Sequence, residues 1–257
     1  MKSDPAEVEF AIEVFVRGFS AGVSRTFPYT VSRIGPVWVM RDAPRKNPRY
    51  YRKEEWIAHA VDARDVDASA RQKTRGRFFV GAFVGAGESD DPTRVAYKSL
   101  GYRLLTTEGF FIQRLTRIPK LPSPVKIERV QTPELAAGLA KATRSKPIPD
   151  NMLDNDAAFR QYIAPDGDEI VGQVRSVDAV GATWCADMHV AVPHRRRGIG
   201  KALLGRMPRD DRRHGSKCSV LTASHAGALL YPHAGYERIG TLLVFAAQNK
   251  LVTVRPS

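Results

Sequence analysis

The chain repeats itself. Tyr97-Lys98-Ser99-Leu100-Gly101-Tyr102 and Tyr231-Pro232-His233-Ala234-Gly235-Tyr236 share the pattern Y-x-x-x-G-Y at an offset of 134 residues. Each copy follows an apolar run and a short helical segment, and each precedes another extended run. In a chain of 257 residues, the same order twice over implies a duplicated supersecondary unit. Between the copies lies Ile118-Pro119-Lys120-Leu121-Pro122-Ser123-Pro124. Proline fixes φ and lacks an N–H, so this stretch cannot be helix interior or central strand. It reads as a linker over 119–124, separating a unit over 1–118 from one over 125–257.

The second unit alternates strands and helices. Val125 to Val130 alternates in polarity as a strand does. Pro133 to Thr143 is a helix with proline in its first turn. Asp156 to Ile163 reads as a short helix, and Asp166-Gly167-Asp168 as a turn. Glu169–Val177 and Ala182–Val192 read as strands, Ile199–Arg213 as a helix and Lys217–Ala223 as a β-rich run. A short helix over Ala226–Tyr231 and a strand over Tyr236–Ala246 follow. In the first unit, Ala6 to Phe19 has helical spacing. Val37–Met40, Phe78–Val84 and Tyr102–Leu115 read as extended, while Lys53–Thr74 and Asp91–Leu100 read as helical. This succession indicates an α/β fold with a mixed sheet.

Composition narrows the class. With 43% hydrophobic and 26% charged residues, the chain is neither disordered nor fibrous. No apolar run approaches the roughly 20 residues that cross a bilayer, and no secretory h-region follows Met1. Two cysteines imply no disulfide framework. The expectation is an intracellular, cytoplasmic protein without membrane contact, and nothing in the sequence sets the oligomeric state. Forty basic residues stand against 27 acidic, for a net charge of +13. That balance favours polyanionic partners, nucleic acid or a phosphorylated cofactor among them. All of the second half's excess falls in residues 194–217, which hold nine basic and two acidic side chains.

That segment carries the chemistry. A strand ending in Val190-Ala191-Val192-Pro193 runs into His194-Arg195-Arg196-Arg197-Gly198-Ile199-Gly200-Lys201, which opens a helix. Glycine permits positive φ and close backbone approach. Free amides at the helix start, with the helix dipole, favour an anion there. The arginines and Lys201 add full charges, and the combination suits a pyrophosphate. It matches neither the Walker loop nor the dinucleotide fingerprint.

Arg195-x-x-Gly198-x-Gly200, after a strand and before a helix with paired leucines, resembles the acyl-CoA loop of the GNAT superfamily of N-acetyltransferases. Leu230-Tyr231 followed by Gly235-Tyr236 resembles that family's second motif. The resemblance spans Val125 to Ala246. With the repeat at Tyr97, it implies two GNAT-like halves, the first degenerate because it lacks the loop. It further implies acetyl-CoA as co-substrate, no metal, and direct transfer to a primary amine. Backbone groups of Met188, His189 and Val190 would hold the pantetheine arm. The segment from Arg195 through Arg196, Arg197, Gly198, Ile199, Gly200 and Lys201 would cradle the pyrophosphate. Tyr231 would protonate the departing thiolate. Ser224 stands where many members place a cofactor-contacting asparagine. Val192 replaces the family's first proline. Pro208, inside the helix, predicts a break near Arg206.

A base must take the amine's proton. Strict alternation places Asp187 and His189 on one face of their strand, opposite Trp184, Ala186, Met188 and Val190. Asp187 is the candidate base, with a structural hydrogen-bonded carboxylate as the competing reading; His189 reads as a hydrogen-bonding partner. His225 and His233 read as surface residues, and Cys185 and Cys218 as core. The basic run from Arg41 to Lys53 reads as a solvated loop. A second class of function remains open: a non-catalytic GNAT-like module that binds nucleic acid or regulates through its basic surface.

Overall fold

The computed structural model describes residues 4–247. Its first half runs α1 (Pro5–Val23), β1 (Tyr29–Ile34), β2 (Val37–Asp42), β3 (Glu54–His59), α2 (Ala63–Lys73), β4 (Phe78–Gly85), α3 (Asp91–Ser99) and β5 (Tyr102–Arg114). A two-residue strand, β6 (Glu128–Arg129), opens the second half. Then come α4 (Pro133–Thr143), β7 (Phe159–Asp166), β8 (Glu169–Ala179), β9 (Ala182–Val190), α5 (Ile199–Arg213), β10 (Cys218–Ala223), α6 (His225–Ala228) and β11 (Glu237–Ala247).

The described strands make one sheet, ordered β1-β2-β3-β4-β11-β5-β10-β9-β8-β7-β6. Match β1 to β5 with β7 to β11 in chain order. Leaving the short β6 aside, the sheet then reads the same from either end. Each half's last strand is inserted in the other half: β11 lies between β4 and β5, and β5 lies between β11 and β10. Both central pairings are antiparallel and long.

The repeated hexad has a structural job in both copies. Gly101 and Gly235 adopt φ of 81° and 83°, the left-handed turn that glycine tolerates without a Cβ clash. That turn sets two tyrosines edge to face. Tyr97 and Tyr102 sit 5.5 Å apart at 82°, and Tyr231 and Tyr236 sit 5.6 Å apart at 71°. Such geometry matches the aromatic quadrupole.

Helix α1 starts where Asp4 caps the amide of Ala6, with Pro5 in the first turn. Val8, Ala11, Ile12 and Phe15 share one face and are buried. The helix spans both halves, with Phe15 against Trp184 of β9 at 4.9 Å. Gly18 permits this approach, since a Cβ there would overlap the Cβ of Trp184.

Under α5, Arg160 of β7 is fully buried and pairs with Asp178 and, at 3.1 Å, with Asp211. Asp211 also accepts from Ser176 at 2.7 Å. Removing one partner of a buried ion pair strands the other, at about 3–5 kcal/mol. Arg160→Met is therefore expected to lose about that much stability in urea unfolding. A loss below about 1 kcal/mol would show that the pair is energetically idle.

Several local expectations are corrected. Asp156–Ile163 does not form a helix: Phe159–Asp166 is strand β7. Its polar Arg160 and Gln161, which mimic a helical polar face, are buried among Asp178, Asp211 and strand backbone. Lys53–Thr74 is strand β3 followed by α2, separated at Ala60, where φ is 54°. The strand expected over Val125–Val130 shrinks to β6. Strand β1 was not anticipated. Helix α5 does not break near Arg206, and runs unbroken through Pro208 to Arg213. Tertiary contacts hold its last turns: Arg209 donates to the Gly205 carbonyl and, at 2.8 Å, to that of Pro119, while Asp211 is fixed by Arg160.

Candidate functional site

Parallel neighbours β9 and β10 pair only at Ser219 with Thr183 and Val220 with Trp184. Beyond those residues they diverge. A bulge in β9 accompanies the divergence: its register with β8 steps from Gln173–His189 to Arg175–Ala186. Asp187 and Met188 thus both oppose Val174, and Asp187 takes φ of 52°. A bulge re-aims side chains, so strict alternation fails here. His189 falls on the Trp184–Ala186 face, and Val190 turns toward α5, near Gly200.

The gap is a cleft of about 410 Å³, walled by Arg175, Trp184, Asp187 and Met188 on one side and Thr222, Ser224 and Tyr231 on the other. Phe19, Gly22 and Val23 of α1 also line it. Nothing in the α1 sequence beyond its apolar face signals this role, and Arg175 was likewise missed.

At the start of α5, Arg196 and Gly198 adopt φ of 65° and 81°. The amide of His194 donates to Ala191 and that of Arg195 to Val192. The next amide with an internal acceptor is Ala202, bonded to the Gly198 carbonyl at 3.0 Å. The six amides from Arg196 to Lys201 have no acceptor among the described residues, and the bend is exposed. Unsatisfied N–H groups at the end of a 15-residue helix form an anion cradle. A Cβ at Gly200 would stand 3.0 Å from a methyl of Leu230, so any larger residue would have to push that side chain aside. Arg195 donates to the Val190 carbonyl at 3.0 Å. Arg197 bonds His194 at 2.8 Å and lies 3.2 Å from Asp166.

Tyr231 is 6% exposed and lines the cleft. Burial pushes its phenol well above the ordinary range, and no hydrogen bond opposes that shift. It therefore stays protonated at neutral pH, a donor without an acceptor among the described residues. Ser224 caps α6 through the Gly227 amide at 3.3 Å. Asp187 pairs with Arg175 at 2.6 Å. His189 is exposed beside it. Both cysteines are free and buried, and burial pushes the Cys218 thiol up to about 11. Among the described residues no three His, Cys, Asp or Glu side chains converge as metal ligands do, and no helix is long and apolar enough to cross a membrane.

The first half has its own cleft at the matching place, about 530 Å³, between the ends of β3 and β4 and lined by Tyr97. There the helix start is already answered. Asp62 caps the Arg64 amide at 2.8 Å, and Asp65 adds a second negative charge in the first turn. The two clefts therefore differ in sign where a phosphate would bind.

Residues 158–238 match the family model of the acetyltransferase (GNAT) domain. The chain carries a GNAT domain. The match runs from the start of β7 to the start of β11, and so contains the bulge, the cradle and Tyr231. No curated protein matches the sequence. Among solved structures, a GCN5-related N-acetyltransferase from Kribbella flavida superposes with a TM-score of 0.63 at 13% identity, covering 93% of this chain and 95% of that one. A GCN5-related N-acetyltransferase from Sphaerobacter thermophilus gives 0.53 at 17% identity, covering 82% and 76%. A conserved protein of unknown function from Staphylococcus epidermidis ATCC 12228 gives 0.58 at 13%, covering 86% and 94%. At these identities the shared property is the fold, and it takes in both halves.

Proposed function

We propose that the protein is an acetyl-CoA-dependent N-acetyltransferase acting on a primary amine by direct transfer in a ternary complex. The observation that carries this reading is the run of six free amides, Arg196 to Lys201, beside the gap between β9 and β10. Those amides fit a diphosphate, with Arg195, Arg196, Arg197 and Lys201 supplying charge. The bulged segment Met188–Val190 would bond the pantetheine arm as an added strand does, and Ser224 would line its far wall. Transfer makes one C–N bond and breaks one C–S bond. Tyr231 would give its phenolic proton to the departing thiolate. Asp187, steadied by Arg175, would be the carboxylate nearest the bulge and accept the amine's proton. Positioning would supply much of the rate. The first half would be a duplicated GNAT-like unit without a cofactor site, its helix start occupied by Asp62 and Asp65.

Titration of acetyl-CoA into the protein tests this reading, and no measurable heat would end it. Tyr231→Phe is expected to lower kcat about a hundredfold while leaving acetyl-CoA affinity unchanged. Equal losses in both would instead assign Tyr231 to packing, as its counterpart Tyr97 suggests.

A further inference from the structure

A second cavity adjoins the acyl cleft. It has a volume of about 330 Å³ and shares Phe19, Trp184 and Thr222 with that cleft. The central sheet makes its floor: Ile57, Gly81, Val244 and Thr106 are successive cross-strand partners over β3, β4, β11 and β5. Phe15 and Phe19 of α1 close it from above. The walls are apolar apart from two carboxylates, Glu55 and Glu108, and the hydroxyls of Thr106 and Thr222. Glu108 is at the acyl end, because the next residue, Gly109, pairs with Ala223 of β10. Glu55 lies across the floor on β3, beside Phe79.

Neither carboxylate has a hydrogen bond or ion pair among the described residues. This stands out in a chain so rich in arginine. Asp42, also buried, is held by Arg45 at 2.7 Å and by Arg52. Asp187 is held by Arg175. Partly burying a carboxylate without a cation is costly. Burial pushes Glu55 up to about 7, with Lys53 opposing and the charge of Glu108 adding to the rise. The slot thus holds two carboxylates that no cation answers, inside a molecule of net charge +13.

We infer that this slot is the acceptor site and takes a primary amine with a compact apolar body, its ammonium held by Glu108 at the acyl end and its body lying along the floor toward Glu55. The assignment rests on the transferase reading for its chemistry. In the reaction, one ammonium proton passes to Glu108, the free amine forms the new C–N bond, and the displaced thiolate takes the proton of Tyr231. A second N–H proton of the attacking nitrogen passes to Asp187 as the amide forms, and the third stays as the amide N–H. The slot selects against polyhydroxylated amines, whose hydroxyls would find no partners on Ile57, Phe79, Leu242 and Val244.

Titration calorimetry of the full chain with 2-phenylethylamine tests the site without requiring turnover. Binding is expected for the wild type. It should fall at least about tenfold in Glu55→Gln with Glu108→Gln, the loss of charge-assisted hydrogen bonds. The neutral 2-phenylethanol and the hydrophilic amine glucosamine should bind at least about tenfold more weakly than 2-phenylethylamine. Thermal melting of the variant checks its fold, and Thr106→Trp, which fills the slot and keeps both carboxylates, should also abolish amine binding. Unchanged amine affinity in both variants, or equal affinity for glucosamine, overturns the assignment. Acetyl-CoA titrations separate the two failures. Lost acetyl-CoA heat with amine binding intact removes the transferase reading and keeps the amine slot. Intact acetyl-CoA heat with no amine binding does the reverse.

Discussion

Arg197→Glu combined with Gly198→Asp is expected to abolish the proposed acetyl-CoA binding while the protein still melts cooperatively. Two effects add. Gly198 sits at φ 81° with Pro124 just 3.2 Å from where a Cβ would stand, so Asp strains the bend. Both substitutions also bring negative charge to the free amides at the start of α5, opposing the helix-dipole attraction for an anion. A loss of at least a hundredfold in affinity, about 2.7 kcal/mol, is expected. Calorimetry reads it directly, and circular dichroism confirms that α5 persists. Affinity within threefold of wild type would place the cofactor elsewhere.

Cutting the chain within 119–124 leaves two pieces that cannot fold alone. Residues 1–118 would lack β11 between β4 and β5, and residues 125–257 would lack β5 between β11 and β10. Each piece exposes strand edges that the intact sheet satisfies, together with apolar residues such as Phe110, Leu243 and Phe245. Expressed separately, the pieces should aggregate or show no cooperative melt. Co-expressed, they should co-purify as a one-to-one complex. A cooperative melt from either piece alone would refute mutual dependence.

The sequence was most legible where chemistry and local geometry coincide. Ile199–Arg213 was bounded correctly because glycines mark its start and leucines its buried face. The hexads were legible because a glycine in the left-handed region must follow each tyrosine-bearing turn. What failed depends on distant partners. Arg160 and Gln161 look like a helix's solvent face until Asp178 and Asp211 are known to lie beside them. The faces of β9 were misassigned because a bulge at Asp187–Met188 leaves no mark in a strand read by alternation. Pro208 predicted a break that Arg209, Pro119 and the Arg160–Asp211 pair prevent. That Glu55 and Glu108 line one cavity was invisible, since their strands are joined only through β4 and β11, and β11 comes last in the chain.

That late arrival has a consequence for synthesis. While the ribosome is still extending the second half, β4 and β5 must wait apart, with the seat between them empty. The first domain-sized piece to emerge therefore cannot settle early, and the molecule closes in a single late event once residues near Phe245 have left the exit tunnel. Messages truncated shortly before that point would yield chains missing the middle of their sheet rather than its fringe.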